Sequence, residues 1–222
     1  MEYYLFLAIT LAITIGSQAY LNSTTKKCEK ILSKKGLRGE MVARRILDHN
    51  DLKNVSIEAN NGYLSDHYDP RKKVVRLSSA IYADQTIASV SVAAHECGHA
   101  IQDKEGYLFL RIRSMIIPLV NLASKAGYIA ILIGIFAGIT KFLWLGIICE
   151  VLIMLFQLIT LPVEFNASSR GLKQLLNLGL VENDEIKYCK KMLTAAALTY
   201  VASVATSAIE IARLVLMARR RD

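Results

Sequence analysis

The sequence predicts an α+β, membrane-embedded chain: an N-terminal transmembrane anchor, a small antiparallel sheet beside a histidine-bearing helix, a transmembrane hairpin and a C-terminal helix. Three observations predict it. Apolar residues make up 53% of the 222 positions and gather in long runs, which excludes a disordered chain. The 27 Lys and Arg against 19 Asp and Glu, a net charge of +8, stand largely in blocks beside those runs. There they act as topology signals, so no nucleic-acid partner is expected. Between the first and second runs lies a short polar stretch containing all four histidines, His49, His67, His95 and His99.

The anchor covers residues 1–22. Its apolar part, 3–21, has about the 20 residues a bilayer core requires. A cleaved signal peptide would carry its positive charge first, whereas this chain begins Met1-Glu2 and places Lys26, Lys27, Lys30, Lys34 and Lys35 afterwards. That order puts the N-terminus outside and residues 23–114 in the cytoplasm. Within them, 39–50 reads as a helix with Met41, Val42, Ile46 and His49 near one face. Two β-like runs, 55–59 and 63–68, flank Asn60-Asn61-Gly62, a hairpin signal, and a third, 74–78, follows a turn at Asp69-Pro70-Arg71. Asp84 is the expected N-cap of a helix running past His99. Apolar runs at 115–139 and 142–163, parted by Thr140-Lys141, read as the hairpin, with a cytoplasmic loop over 164–192. Glu150 inside the second run needs a partner: Lys125 is the nearest opposite charge, and a neutral Glu150 bonded to a hydroxyl is the other reading. The last run, 193–217, carries Glu210 and Arg213 and ends in Arg219-Arg220-Arg221. It is expected to pack on the protein without crossing. Four cysteines with no C-x-x-C spacing suit a reducing compartment better than a disulfide framework.

Residues 95–99 read HECGH. Residues four apart share a helical face, so His95 and His99 can hold one Zn²⁺ while Glu96 reaches the metal's water. The small apolar flanks SVSVAA and AIQ imply a buried helix, where two histidines and a carboxylate need partners. A hydrolytic zinc takes three protein ligands and keeps a position for water. Topology favours Glu164 as the third, because the hairpin leaves the cytoplasm soon after His99 and returns at that residue; a carboxylate that merely faces water at the membrane border is the other reading.

The segments MVARRILD (41–48), LSDHYDPR (64–71), AAHECGHAIQ (93–102), LPVEFNAS (161–168) and AAALTYVAS (195–203) together resemble the YugP-like neutral zinc metallopeptidases of bacterial membranes. More distantly the chain is similar to the HtpX/Ste24 gluzincins. The resemblance implies a gluzincin-like zincin fold with one zinc per chain, His95, His99 and Glu164 as metal ligands and Glu96 as the catalytic carboxylate. It also implies a domain plan: anchor (1–22), cytoplasmic metallopeptidase unit (23–114), hairpin (115–163), and a third-ligand helix with a C-terminal segment completing the site (164–222). Two positions depart from the pattern. Cys97 stands where an aliphatic residue is more usual and reads as a small filler, with zinc modulation or oxidation as other roles. Ser168 stands where related gluzincins place an Asp that supports a ligand. His67 lies either on a substrate-binding edge strand or, with Asp66 and Asp69, in a turn. Tyr200 reads as a packed side chain, with an oxyanion contact as the alternative.

The expected activity is a membrane zinc endopeptidase with its active site facing the cytoplasm, acting on peptides or membrane proteins and in contact with the lipid bilayer. A scaffold or holdase with structural zinc, and a zinc hydrolase of a lipid or non-peptide amide, are the rivals. The sequence carries no signal for an oligomeric state.

Overall fold

The structure, a computed structural model, describes residues 2–221. In chain order the elements are α1 (Glu2–Cys28), α2 (Gly39–His49), β1 (Ser56–Asn60), β2 (His67–Asp69), β3 (Val74–Ser78), α3 (Ser79–Ala83), α4 (Ile87–Lys104), α5 (Leu108–Phe136), α6 (Thr140–Asn177) and α7 (Ile186–Arg219). Among the described residues α1, α5, α6 and α7 are long and apolar enough to cross a membrane. The chain divides into two compact units, and the divisions fall inside these four helices. One unit holds the residues up to Gln18, Arg111–Leu161 and those from Leu198 onward. The other holds Ala19–Leu110 and Pro162–Ala197.

In the second unit the sheet is mixed, and this corrects the antiparallel sheet expected from the Asn-Gly signal. Its order is β1-β3-β2, with β1 parallel to β3 and β2 antiparallel to it. The most apolar run takes the centre: Val74, Val75 and Leu77 of β3 are buried, while the half-polar β1 and β2 become edges. Asn60 closes β1 and Gly62, at φ +123°, turns a wider loop. The tight connection is the one after Asp69, whose Oδ1 accepts from the Arg71 and Lys72 amides at 2.9 and 3.1 Å.

Helix α2 buries Val42, Ala43, Ile46 and Leu47, whereas Met41 and His49 face outward. Helix α4 starts one turn signal later than expected: Thr86, not Asp84, is its N-cap, the Thr86 Oγ1 accepting from the Ser89 amide. Fourteen of its 18 residues are buried, which explains a sequence made largely of Ala, Ser, Gly and Val on all sides. It packs with Ile46 and Leu47, Val75 and Leu77, and Leu175 and Leu180 in one apolar core.

The segment from Glu164 onward is helix, as expected of a third-ligand helix, but it is no separate element: α6 runs through Pro162 to Asn177. The helix ends at Gly179, φ +59°, with the Leu180 amide donating to Leu175 O and the Gly179 amide to Leu176 O, a Schellman closure.

In the first unit, α6 and α7 run antiparallel. Leu143 and Ile147 cluster with Leu214 and Ala218. Glu150 accepts from the Ser207 hydroxyl at 2.9 Å, and this hydroxyl, not Lys125, is its partner; Lys125 is exposed and no ion pair joins the two among the described residues. Arg221 donates to Gly134 O at 2.6 Å, at the end of α5. The last run therefore packs along the hairpin as expected, and it reaches the α5–α6 connection. Glu210 and Arg213 pair with each other, which lowers the charge cost of a crossing.

Candidate metal centre

Helices α4 and α6 meet backbone to backbone at two places. A Cβ on Gly98 would stand 2.9 Å from the carbonyl carbon of Ala167 and closer still to its oxygen. One on Gly171 would lie 2.6 Å from Ala94 O. These glycines let the two helices approach closely on either side of His95.

Next to these contacts the donors converge. His95 and His99 sit one turn apart on α4, and their Nε2 atoms lie 3.3 and 3.6 Å from Glu164 Oε2 on α6. One donor atom from each of the three lies within 4.8 Å of the others. The rings meet edge to face, 4.7 Å between centroids. Glu164 and His99 are buried and His95 is half-buried.

Each histidine has its other nitrogen occupied. His95 Nδ1 lies 3.0 Å from the Ser168 hydroxyl, which the continuous α6 places one turn after Glu164 on the same face. His99 Nδ1 lies 3.0 Å from Gln102 Oε1. The Gln102 amide nitrogen donates to Val163 O at 2.8 Å and to Asn166 Oδ1 at 2.9 Å. Tyr107 adds a weaker bond to Pro162 O, at 3.5 Å. Thus α4 and the segment after it grip α6 around its proline.

Glu96 is 6% exposed. Burial pushes its carboxyl up to about 7; His95 and the Tyr68 backbone amide oppose the rise, while the negative charges of Glu164 and Asp66 add to it. The amide contact brings the edge strand β2 beside the carboxylate.

The remaining candidates lie elsewhere. His67 Nδ1 donates to Ser65 O at 2.8 Å and its Nε2 faces Arg76, while Asp66 accepts from the Ser78 amide at 2.7 Å. Cys97 is fully buried and donates toward Ala43 O of α2, so it fills the core as read, and burial pushes its thiol up. His49 is exposed at the end of α2, and Tyr200 belongs to the first unit. The sequence reading missed Gln102, Asn166 and the two glycines. Gln102 had a signal: it stands three positions after His99 on the same helical face.

The family model described as "Putative neutral zinc metallopeptidase" matches residues 3–219. The chain belongs to this family. It is also 43% identical over 215 residues to the "Putative membrane protease YugP" of Bacillus subtilis (strain 168), with 96% of each chain covered. No solved structure matches it.

The family description names zinc, and the donors fit that ion. Two imidazole nitrogens and one carboxylate oxygen form the three-ligand set of hydrolytic zinc sites. Both imidazoles have the opposite nitrogen hydrogen-bonded, as ligating histidines do.

Proposed function

We propose that the chain is a membrane zinc metalloendopeptidase of gluzincin-like design, with His95, His99 and Glu164 as the ligands of one zinc and Glu96 as the general base. The observation that carries this reading is the convergence of three donors on one point with a buried carboxylate adjacent in sequence. When bound, zinc supplies Lewis-acid polarisation of the scissile carbonyl and brings the pKa of a water to about 7. Glu96 takes the proton of the attacking water and returns it to the leaving amine, and a carboxyl raised to about 7 suits both transfers. The burial of Glu164 and the closeness of α4 to α6 exclude bulk water from the donors.

A peptide substrate fits the edge strand β2, whose outer amides can pair with an extended chain. The active site faces the cytoplasm and the N-terminus lies outside, an orientation favoured by the Lys block that begins in the last turn of α1. Glu164 follows the apolar run 142–163 directly, which suits substrates that are membrane proteins or their tails. The two residues suited to close a fourth coordination position, as a structural clamp needs, are engaged elsewhere: Cys97 against α2 and His67 with Ser65.

The test is Glu96→Gln in the full chain, assayed for casein or self-cleavage together with zinc content. Activity falls about 10²–10⁴-fold while zinc is retained, because the residue serves the water and is not a ligand. Activity within a few-fold of the native chain overturns the mechanism.

A further inference from the structure

Gln102 is fully buried, and its amide makes three hydrogen bonds. Both of its amide protons are committed, one to Val163 O at 2.8 Å and one to Asn166 Oδ1 at 2.9 Å, and these acceptors flank Glu164 in sequence. Val163 O accepts only, so the face turned to α6 is the NH₂ and the face turned to His99 is the carbonyl oxygen. That oxygen lies 3.0 Å from His99 Nδ1 and can only accept. His99 must therefore carry its proton on Nδ1, which leaves the Nε2 lone pair directed at Glu164 Oε2.

We propose that Gln102 is the positioning residue of the metal centre: one amide fixes the ligating tautomer of His99 and, through Val163 and Asn166, the place of Glu164 on α6. The inference rests on the zinc reading above. The two neighbours of His95 and His99 are unequal in this respect. The Ser168 hydroxyl can donate or accept and leaves the His95 tautomer free, whereas the Gln102 amide is held by two fixed bonds and dictates that of His99. Any loss of the α4–α6 contact at Val163 releases the His99 tautomer together with the ligand carboxylate.

The experiment compares Gln102→Glu and Gln102→Met in the full chain, reading zinc affinity by chelator competition and melting temperature in parallel. Both variants lose the pair of donated bonds to α6 and melt lower than the native chain. Both lose zinc affinity with the hold on Glu164, but only Gln102→Met also loses the acceptor on His99, so its affinity falls about 10–100-fold, at least about threefold further than that of Gln102→Glu. Equal affinity losses in the two, or native affinity in Gln102→Met, overturn the proposal. A second measurement needs no variant: with ¹¹³Cd in the site and ¹⁵N-labelled histidine, the metal couples to His99 Nε2 and the Nδ1 proton is observed. Coupling to Nδ1 overturns the assignment. A native chain that binds neither metal, or a His99→Ala chain that binds as well as native, refutes the metal centre itself and the role of Gln102 with it.

Discussion

Ser168 is the residue whose role changes most between sequence and structure. Its hydroxyl takes the position on His95 Nδ1, 3.0 Å away, where the related gluzincins are expected to use a carboxylate. A neutral hydroxyl supports the imidazole with one weak bond and adds no charge to raise its basicity. Ser168→Ala should weaken zinc binding about tenfold, and Ser168→Asp should equal or exceed the native affinity, since a carboxylate is the stronger partner. Chelator competition measures both. Unchanged affinity in Ser168→Ala would show that the bond does not support the ligand. That His95 and His99 share a face beside Glu96 is legible from spacing alone, because a four-residue interval fixes a shared helical face whatever else the chain does. Ser168 and Gln102 are legible only in part: their helical intervals are visible, but which nitrogen each meets depends on how α4 and α6 cross.

The crossing is itself an element-scale property carried by two glycines. A methyl group on Gly98 would occupy the space of the Ala167 carbonyl, a rigid backbone group inside a helix that cannot rotate away. Overpacking usually costs about 1–3 kcal/mol, and a backbone neighbour puts this site at the upper end. Gly98→Ala should lower the melting temperature and reduce zinc affinity together, since Glu164 retreats with α6. Gly16→Ala, where nothing lies within 4 Å, should leave zinc affinity unchanged. Thermal unfolding and chelator competition on the two variants check this, and a Gly98→Ala chain with native zinc affinity would sink the idea that the crossing sets the ligand. At this scale the sequence was readable where one element decided its own form. Helices α2 and α4 and the apolar spans follow from periodicity and length. The sheet was not readable, because Asn60-Asn61-Gly62 specifies a turn locally while pairing is decided by burial of Val74, Val75 and Leu77. The continuity of α6 through Pro162 is not legible for a similar reason: a proline removes one helical donor, and the side chains of Gln102 and Tyr107 that bond the Val163 and Pro162 carbonyls follow from no local pattern.

For the whole molecule, the decisive contacts concern which side the C-terminus occupies. The Ser207–Glu150 bond, the Leu143, Ile147, Leu214 and Ala218 cluster, and the Arg221 bond to Gly134 O follow one another along α7 toward the connection between α5 and α6. If the hairpin crosses the bilayer, α7 crosses beside it. The positive-inside bias argues against exporting Arg219, Arg220 and Arg221, but two features oppose it. Arg221 meets carbonyls of the last α5 turn, which lack helical donors and carry the negative end of the dipole. The larger Lys block that begins in the last turn of α1 favours keeping that end inside. Four crossings would also place both termini on one side, in keeping with the N-terminus proposed to lie outside. The expected outcome is that a reporter appended to the C-terminus and one inserted at residue 138 are both reached by an impermeant label from outside intact cells. A reporter in the turn at residue 72 is labelled only after lysis. Were the C-terminal reporter to behave like the one at residue 72, α7 would end on the cytoplasmic side and the four-crossing topology would be wrong.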